Sequence, residues 1–578
     1  MSPLSRAGVI ALCASTALSA FALPAGAEIV DKPVHAAGTE SITLSPIGSY
    51  DTGILDESAA EIVSYHKQST TILTVNAQAG HIDLLDASDP TQLAKRGELA
   101  VEGYTLNSVD VRADGLAVAA AEPAEDKTAR GKVVFFNVAD GVIYREVEVG
   151  SLPDMVTFNE DGSFALVANE GEPAEDYSVD PEGSVSVISV PAEPNGDYEA
   201  RTAGFGAWDA QSPEELFAQN NIRVFGPESS LRASVNFEPE YITVDGDKAY
   251  VTLQENNAIA VVDIATATVT DVFGLGTIDR NEVPFDPSDK DETFEPRTYP
   301  VKSLPLPDAV SHVNVGGTTY LVTANEGDSR DWKGYSEEIR VKDLGDPKET
   351  EFGGLDPEVF GPELAEDEHL GRLNITTAHG YDAERKVFTE LYTFGGRGIG
   401  VYTTDGQLVA TSGDEFERIT GQALPEYVNS NHSESNFEGR SDDKGPEPEA
   451  LTTAEIAGVP YAFVGNERVG GIMVYDLSTP QAPKFVTYVN NRDFSVSAED
   501  DGLAGAGDLG PEGVKFIAAA DSPNGKPLLV VGNEVSGSTT VFEIGGPATE
   551  FAGPGASSEL PGSSLSSGSS LSSGSSLF

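Results

Sequence analysis

Apolar residues along the chain come in short runs separated by turns and polar loops, and no long stretch repeats with helical period. This is the pattern of many short strands. One phrase returns: Ala165-Leu-Val-Ala-Asn169-Glu170, Tyr320-Leu-Val-Thr-Ala-Asn325-Glu326, Ala462-Phe-Val-Gly-Asn466-Glu467 and Leu529-Val-Val-Gly-Asn533-Glu534. Tyr250-Val-Thr-Leu-Gln254-Glu255 reads as a fifth copy with Gln for Asn. Small residues and a second apolar run follow four of these phrases, as in Gly471-Ile-Met-Val-Tyr-Asp476. Each phrase is preceded by a short run opening on a Pro-acid pair: Pro153-Asp154, Pro239-Glu240, Pro307-Asp308, Pro448-Glu449 and Pro511-Glu512. A turn such as Asp161-Gly162 or Gly316-Gly317 lies between. The unit is therefore strand, tight turn, strand, loop, strand. Looser copies at Glu61–Asp86, Val109–Val138 and Leu373–Tyr402 bring the count to eight units between about 60 and 545.

Short β units in series predict an all-β chain folded as a β-propeller, with eight blades favoured over seven and long loop insertions. The run Ile42–Tyr50 is placed to complete the last blade and close the ring. Insertions fall at 191–236, 276–300, 328–370 and 412–446. The first holds a short helix around Ser212-Pro-Glu-Glu-Leu-Phe. The propeller domain spans 28–545. A Gly/Ser-rich tail follows at 546–578, with the composition of a flexible linker.

The first two strands of a unit run antiparallel across one turn, so the start of the first and the end of the second share a sheet edge. In a propeller these edges face a common axis. The geometry predicts one acidic rim built from Asp154, Glu240, Asp308, Glu449 and Glu512, beside Glu170, Glu255, Glu326, Glu467 and Glu534. Asn169, Asn325 and Asn466 stand next to them. Carboxylates this close repel one another and need an offsetting positive charge. Calcium is the expected cofactor, because it accepts many hard oxygen ligands in flexible geometry. The alternative is that the acids cap strand ends and pair with Arg330, Arg397 or Arg468. Arg440 and Lys444 either receive an anion carried by the metal or serve as salt-bridge partners. Asp328, between Gly327 and Ser329, offers a further oxygen. Asp286-Pro-Ser-Asp289-Lys-Asp291-Glu292 has the acid density of a calcium loop but lacks the EF-hand glycine and spacing.

Composition narrows the partners. With 94 acidic against 35 basic residues, the net charge is −59. Nucleic acid and anionic membrane surfaces are excluded, since both require a basic face. Hydrophobic residues at 39% still suffice for a core. Residues 1–27 read as a signal peptide: Arg6, an apolar run from Ala7 to Leu23, and Ala25-Gly26-Ala27 as the cleavage site. The single cysteine, Cys13, falls inside it. The mature chain is thus expected to lack disulfides, thiol chemistry and any transmembrane span, and to act as a secreted monomer on an extracellular or cell-envelope ligand.

Several phrases together resemble the choice-of-anchor I family, related to mesenchyme-specific cell surface glycoproteins. They are Leu152-Pro-Asp-Met-Val-Thr-Phe158, Ala168-Asn-Glu-Gly-Glu-Pro173, Gln254-Glu-Asn-Asn-Ala258, Thr323-Ala-Asn-Glu-Gly-Asp328, Arg440–Glu449 and Asn466-Glu-Arg-Val-Gly-Gly471. The resemblance implies an extracellular propeller carried on varied C-terminal anchors. Some members bear an alkaline phosphatase label, and the mesenchyme proteins are linked to calcium mineral. Leu560-Pro-Gly-Ser-Ser564 is not a sortase signal. Three readings follow: a calcium-associated surface binding protein, a metal-dependent phosphoric ester hydrolase with its site on the rim, and a structural adhesin without a rim ligand.

Overall fold

The computed structural model describes residues 29–497 and 502–547. The expected signal peptide and nearly all of the expected tail lie outside the described residues. Seven antiparallel sheets of four or five strands follow one another. Blade 1 comprises Val63–His66, Thr71–Asn76, His81–Asp86 and Ala94–Ala100, and blade 2 runs from Tyr104–Val111 to Ile143–Ser151. Blade 3 runs from Pro153–Phe158 to Glu199–Gly204, and blade 4 from Pro239–Asp245 to Thr268–Gly274. Blade 5 joins Val310–Val315 and Thr318–Asn325 to Gly398–Thr403 and Leu408–Thr411. Blade 6 runs from Pro448–Ile456 to Lys484–Asn490, and blade 7 holds Pro511–Ile517, Leu528–Asn533 and Ser538–Gly545.

The first strand of every blade touches the first strand of the next, and that of blade 7 touches that of blade 1. The sheets therefore form a closed ring, a β-propeller. Seven hydrophobic clusters fill the seven gaps between neighbouring blades. Between blades 6 and 7, for example, Phe463, Val474, Leu529 and Phe542 pack together. Each blade buries both faces, so its inner strands are continuously apolar instead of alternating. Thr71–Asn76 is buried at every position, whereas the outermost strand Ala94–Ala100 is mostly exposed.

The ring has seven blades where the repeat count favoured eight. The supposed unit Leu373–Tyr402 is not a blade. Its strand Gly398–Thr403 pairs with Tyr320–Asn325 and is the third strand of blade 5. The chain between these two strands is an insertion, and its short strands form small separate sheets. A strand pairs with its spatial neighbour whatever the length of the loop, and spacing along the chain does not reveal that.

Ring closure follows the expectation. Thr43–Asp51 pairs antiparallel with Ser538–Gly545 as the outer strand of blade 7. A second early strand, Val34–Ala37, was not anticipated and adds a fifth strand to blade 6 along Lys484–Asn490.

The insertions pack into a subsidiary core of Phe285, Val341, Phe360, Leu373 and Phe388. The helix Pro213–Phe217 forms where expected, with a capping box between Ser212 and Glu215. A longer helix, Glu415–Ala423, follows blade 5. Buried ion pairs tie the insertions to one another: Arg223 with Glu337, Arg330 with Glu238 at 2.7 Å, and Arg397 with Glu417 at 2.6 Å. No helix among the described residues is long and apolar enough to cross a membrane.

Candidate metal centre at the axial mouth

The register explains how the Pro-acid pair reaches the axis. Pro153 pairs with Asn169, Pro448 with Asn466 and Pro511 with Asn533. In these blades, and after Pro239 in blade 4, the ladder is broken immediately by a bulge. A proline at the first strand position costs no ladder bond, and a bulge re-aims the residue that follows it. Asp154, Glu240, Glu449 and Glu512 are those residues. The backbone before the proline is also unusual. Leu152, Leu306 and Glu447 adopt positive φ of 44°, 44° and 50°. For bulky residues this conformation is strained, and such strain persists where surrounding structure imposes it.

A cavity of about 320 Å³ at the mouth is lined by Asp154, Glu170, Glu240, Asp308, Glu326, Glu449, Glu467, Glu512 and Glu534, together with Gln254, Asp328 and Arg468. A second cavity of about 430 Å³ shares Asp154, Glu170, Asp308, Glu449 and Glu512 and reaches Glu61, Glu122 and Tyr241. Nine of the ten expected carboxylates therefore meet at one opening. Glu255 is the exception on the cavity wall, and the register shows why. Pro239 pairs with Leu253, so Gln254 occupies the position that Glu170 holds in blade 3. Gln254 Nε2 donates to Glu326 at 2.6 Å. Glu255 lies one residue further on, yet a carboxylate oxygen of it still comes within 4.8 Å of one from Glu170 and one from Glu240.

Carboxylates approach to the same limit in two further groups, Glu326–Glu447–Glu467 and Glu61–Glu512–Glu534. Sequence reasoning missed Glu61 and Glu447. Glu61 lies just before the first strand, Val63–His66, of a looser repeat without the proline that marked the others. Glu447 immediately precedes Pro448 and was hidden in an acid-rich loop.

The groups differ in charge balance. Lys444 Nζ lies 2.6 Å from Glu326, 3.2 Å from Asp328 and 3.2 Å from Glu447. Arg440 pairs with Glu447 at 2.8 Å, and Arg468 with Glu447 at 3.0 Å and Glu467 at 2.9 Å. Burial raises the Glu447 carboxyl, but Arg440, Lys444 and Arg468 outweigh it and hold the group well below the ordinary range. Burial pushes Glu326 up to about 7 even though Lys444 opposes it. In the blade 3–4 group, burial and neighbouring carboxylates drive Glu170 and Glu240 well above their ordinary values. Burial and Glu238 do the same to Glu255, with Arg330 opposing. Asp154 is pushed up to about 7 by burial, Glu172 and Glu122. Oε2 of Glu240, Glu255, Glu449 and Glu512 is buried and accepts no hydrogen bond among the described residues. Buried anionic oxygens without donors are costly. Apart from His432, a ring nitrogen of which comes within 4.8 Å of Glu467 and Glu534, the donors here are hard oxygens, the set that suits calcium.

The remaining expected ligands sit elsewhere. Asn169 is a lock inside blade 3: its Oδ1 accepts from Gly150 N at 2.9 Å and its Nδ2 donates to Ser184 O and Ser186 Oγ, each at 3.0 Å. Asn325 accepts from Thr323 at 2.7 Å, and Asn466 is fully buried at its strand end. None of the three lines the cavities. Arg330 is engaged by Glu238 and by the carbonyls of Phe225 and Asn236. Arg397 is engaged by Glu417 and by the carbonyls of Asp286, Ser441 and Asp443. Both are staples beneath the rim, because a buried guanidinium needs several fixed acceptors. Ser329, between two acids in sequence, donates to Glu338 at 2.6 Å.

The choice-of-anchor I domain model matches residues 61–480. The chain belongs to the choice-of-anchor I family. Its relatives include Gigasin-3a of Magallana gigas, 29% identical over 217 residues, covering 36% of this chain and 75% of that protein. The mesenchyme-specific cell surface glycoprotein of Strongylocentrotus purpuratus is 31% identical over 283 residues, covering 44% of this chain and 36% of that protein. This choice-of-anchor I chain thus spans about a third of the sea-urchin protein. Hydrazine synthase of Kuenenia stuttgartiensis aligns over 86% of this chain and 99% of its own, at 12% identity and a TM-score of 0.42. At that score the ring rests on the strand contacts alone.

Proposed function

We propose that this protein is an extracellular or cell-surface propeller that binds calcium at its axial mouth and uses that mouth to engage an extracellular ligand. The observation that carries the reading is the set of four buried carboxylate oxygens, on Glu240, Glu255, Glu449 and Glu512, that accept no hydrogen bond among the described residues. Glu240 and Glu255 are 8% and 6% exposed, so water does not readily replace the missing donors. Glu170, Glu240 and Glu255 form the strongest candidate set, since none of them is ion-paired among the described residues. The surface location draws on the relative named as a cell surface glycoprotein.

Isothermal titration of the purified full chain with calcium chloride, after chelator treatment, tests the reading. Wild type takes up calcium and melts at higher temperature with it. Glu240→Gln and Glu255→Gln lose that uptake while remaining folded. An unchanged melting temperature and no heat of binding in wild type would overturn it.

A further inference from the structure

The ring closes on a seam between blade 7 and blade 1, and a group of three carboxylates spans it. Glu61 comes from the segment leading into Val63–His66. Glu512 lies in Pro511–Ile517, and Glu534 directly follows Leu528–Asn533. Backbone contacts hold the Glu61 segment against blade 7. Asp56 N donates to Val535 O at 2.7 Å, and Ala59 N donates to Glu534 O at 3.3 Å. A Cβ at Gly513 would lie 2.6 Å from the Glu61 carbonyl oxygen, and one at Gly532 closer still. These two glycines of blade 7 leave the room that brings Glu61 to the seam. One carboxylate oxygen from each of Glu61, Glu512 and Glu534 then lies within 4.8 Å of the other two.

The rim cations do not serve this group. Arg440, Lys444 and Arg468 pair with Glu326, Glu447 and Glu467, and with none of these three. Glu534 also approaches Glu467 and His432, but there Arg468 supplies the charge, 2.9 Å from Glu467. A second observation points to a missing partner: Oε2 of Glu512 is sealed from solvent and accepts no hydrogen bond among the described residues. Of the four such oxygens at the mouth, those of Glu240 and Glu255 belong to residues that converge with Glu170, whereas that of Glu512 belongs to the seam. From this geometry we infer a second calcium site, held by Glu61, Glu512 and Glu534 across the closure seam of the ring. It shares with the proposed function the view of the mouth as a calcium centre, but it stands on its own residues. The donor set is all oxygen and comes from three chain segments, which suits calcium's flexible shell better than magnesium's strict octahedron. Burial and Glu534 raise the Glu61 carboxyl well above its ordinary value, and burial, Glu61 and Glu534 do the same to Glu512. A shared proton is therefore the rival explanation. An ion here would bond blade 7 to blade 1, adding to the apolar packing of Val63, Leu85, Ile517 and Val541 between them.

The test counts bound ions on the full chain by native mass spectrometry and by metal analysis after gel filtration in calcium chloride. Wild type is expected to retain two calcium ions. Glu61→Gln loses the seam ion and keeps the one at Glu170, Glu240 and Glu255. Glu240→Gln does the reverse. Glu61→Gln imitates the protonated acid, so a proton-sharing group would tolerate it without any change in calcium. Calcium content in folded Glu61→Gln equal to that of wild type overturns the seam site. The proposed function then survives if Glu240→Gln still loses an ion. Wild type without calcium overturns both. If Glu61→Gln does not fold, Glu240→Gln decides: one retained ion supports the seam site, and no retained ion overturns it.

Discussion

The two sides of the axial mouth are built from the same motif and solve the same electrostatic problem differently. Between blades 5 and 6, Lys444, Arg440 and Arg468 neutralise Glu326, Glu447 and Glu467 within hydrogen-bonding distance. Between blades 3 and 4, Glu170, Glu240 and Glu255 crowd together without an ion-paired cation of their own. The lesson is that the acidic repeat is not by itself a metal site. Where a loop delivers fixed cations, the carboxylates become part of an internal salt-bridge network. Where none arrives, burial and mutual repulsion hold the same carboxylates well above their ordinary range.

That contrast can be broken most forcefully at Lys444. Lys444→Met removes the counter-charge from two buried carboxylates, Glu326 and Glu447, and should cost about 3–5 kcal/mol. Chemical denaturation measures it, and an unchanged midpoint would show that the lysine is dispensable. In the blade 3–4 group the sign reverses. Glu240→Gln in chelator should stabilise the protein, because it removes a repelling charge. Calcium at about one hundred times its dissociation constant should stabilise wild type by about 2.7 kcal/mol. That gain should vanish in Glu240→Gln and survive in Arg440→Lys.

pH gives a third, smaller contrast. Asp154, Glu326 and Glu534 are pushed up to about 7, chiefly by burial, from ordinary values of 3.8 for Asp and 4.5 for Glu. Between the ordinary range and about 7, the folded state binds more protons than the unfolded state. Stability in chelator should therefore fall as pH rises through that window. Calcium should flatten the slope, and thermal melts at pH 5 and pH 8 with and without calcium read it directly. The smallest effect is expected at Asp328→Asn. Its side chain is 57% exposed, so its contact with Lys444 is screened, and its loss should cost about 1 kcal/mol or less. A larger loss would place Asp328 inside the network instead of at its edge.

Much of this was legible in the sequence because propeller strands are local. The Pro-acid pair and the Asn-Glu phrase lie on adjacent antiparallel strands, so their meeting at one edge follows from a single turn. What escaped was non-local or shifted by one. Gly398–Thr403 belongs to blade 5 across a long insertion. The blade 4 copy is offset so that Gln254, not Glu255, faces the cavity. Arg330 and Arg397 looked like rim partners by proximity in sequence, but loop paths take them to Glu238 and Glu417.

The pairing of Thr43–Asp51 with Ser538–Gly545 has a consequence for the order of events in folding. Ser49 and Thr540, hydrogen-bonded at 2.8 Å, are separated by 491 positions. The ring cannot shut until nearly the whole domain has been made, and Thr43–Asp51 has no strand to pair with until then. Closure is therefore a contact of very high sequence separation, the kind that is slow to form. Once made, it converts an open arc with two exposed ends into a loop that must be unzipped before any blade can leave. The lifetime of the folded state would then be governed by how rarely that one outer strand detaches.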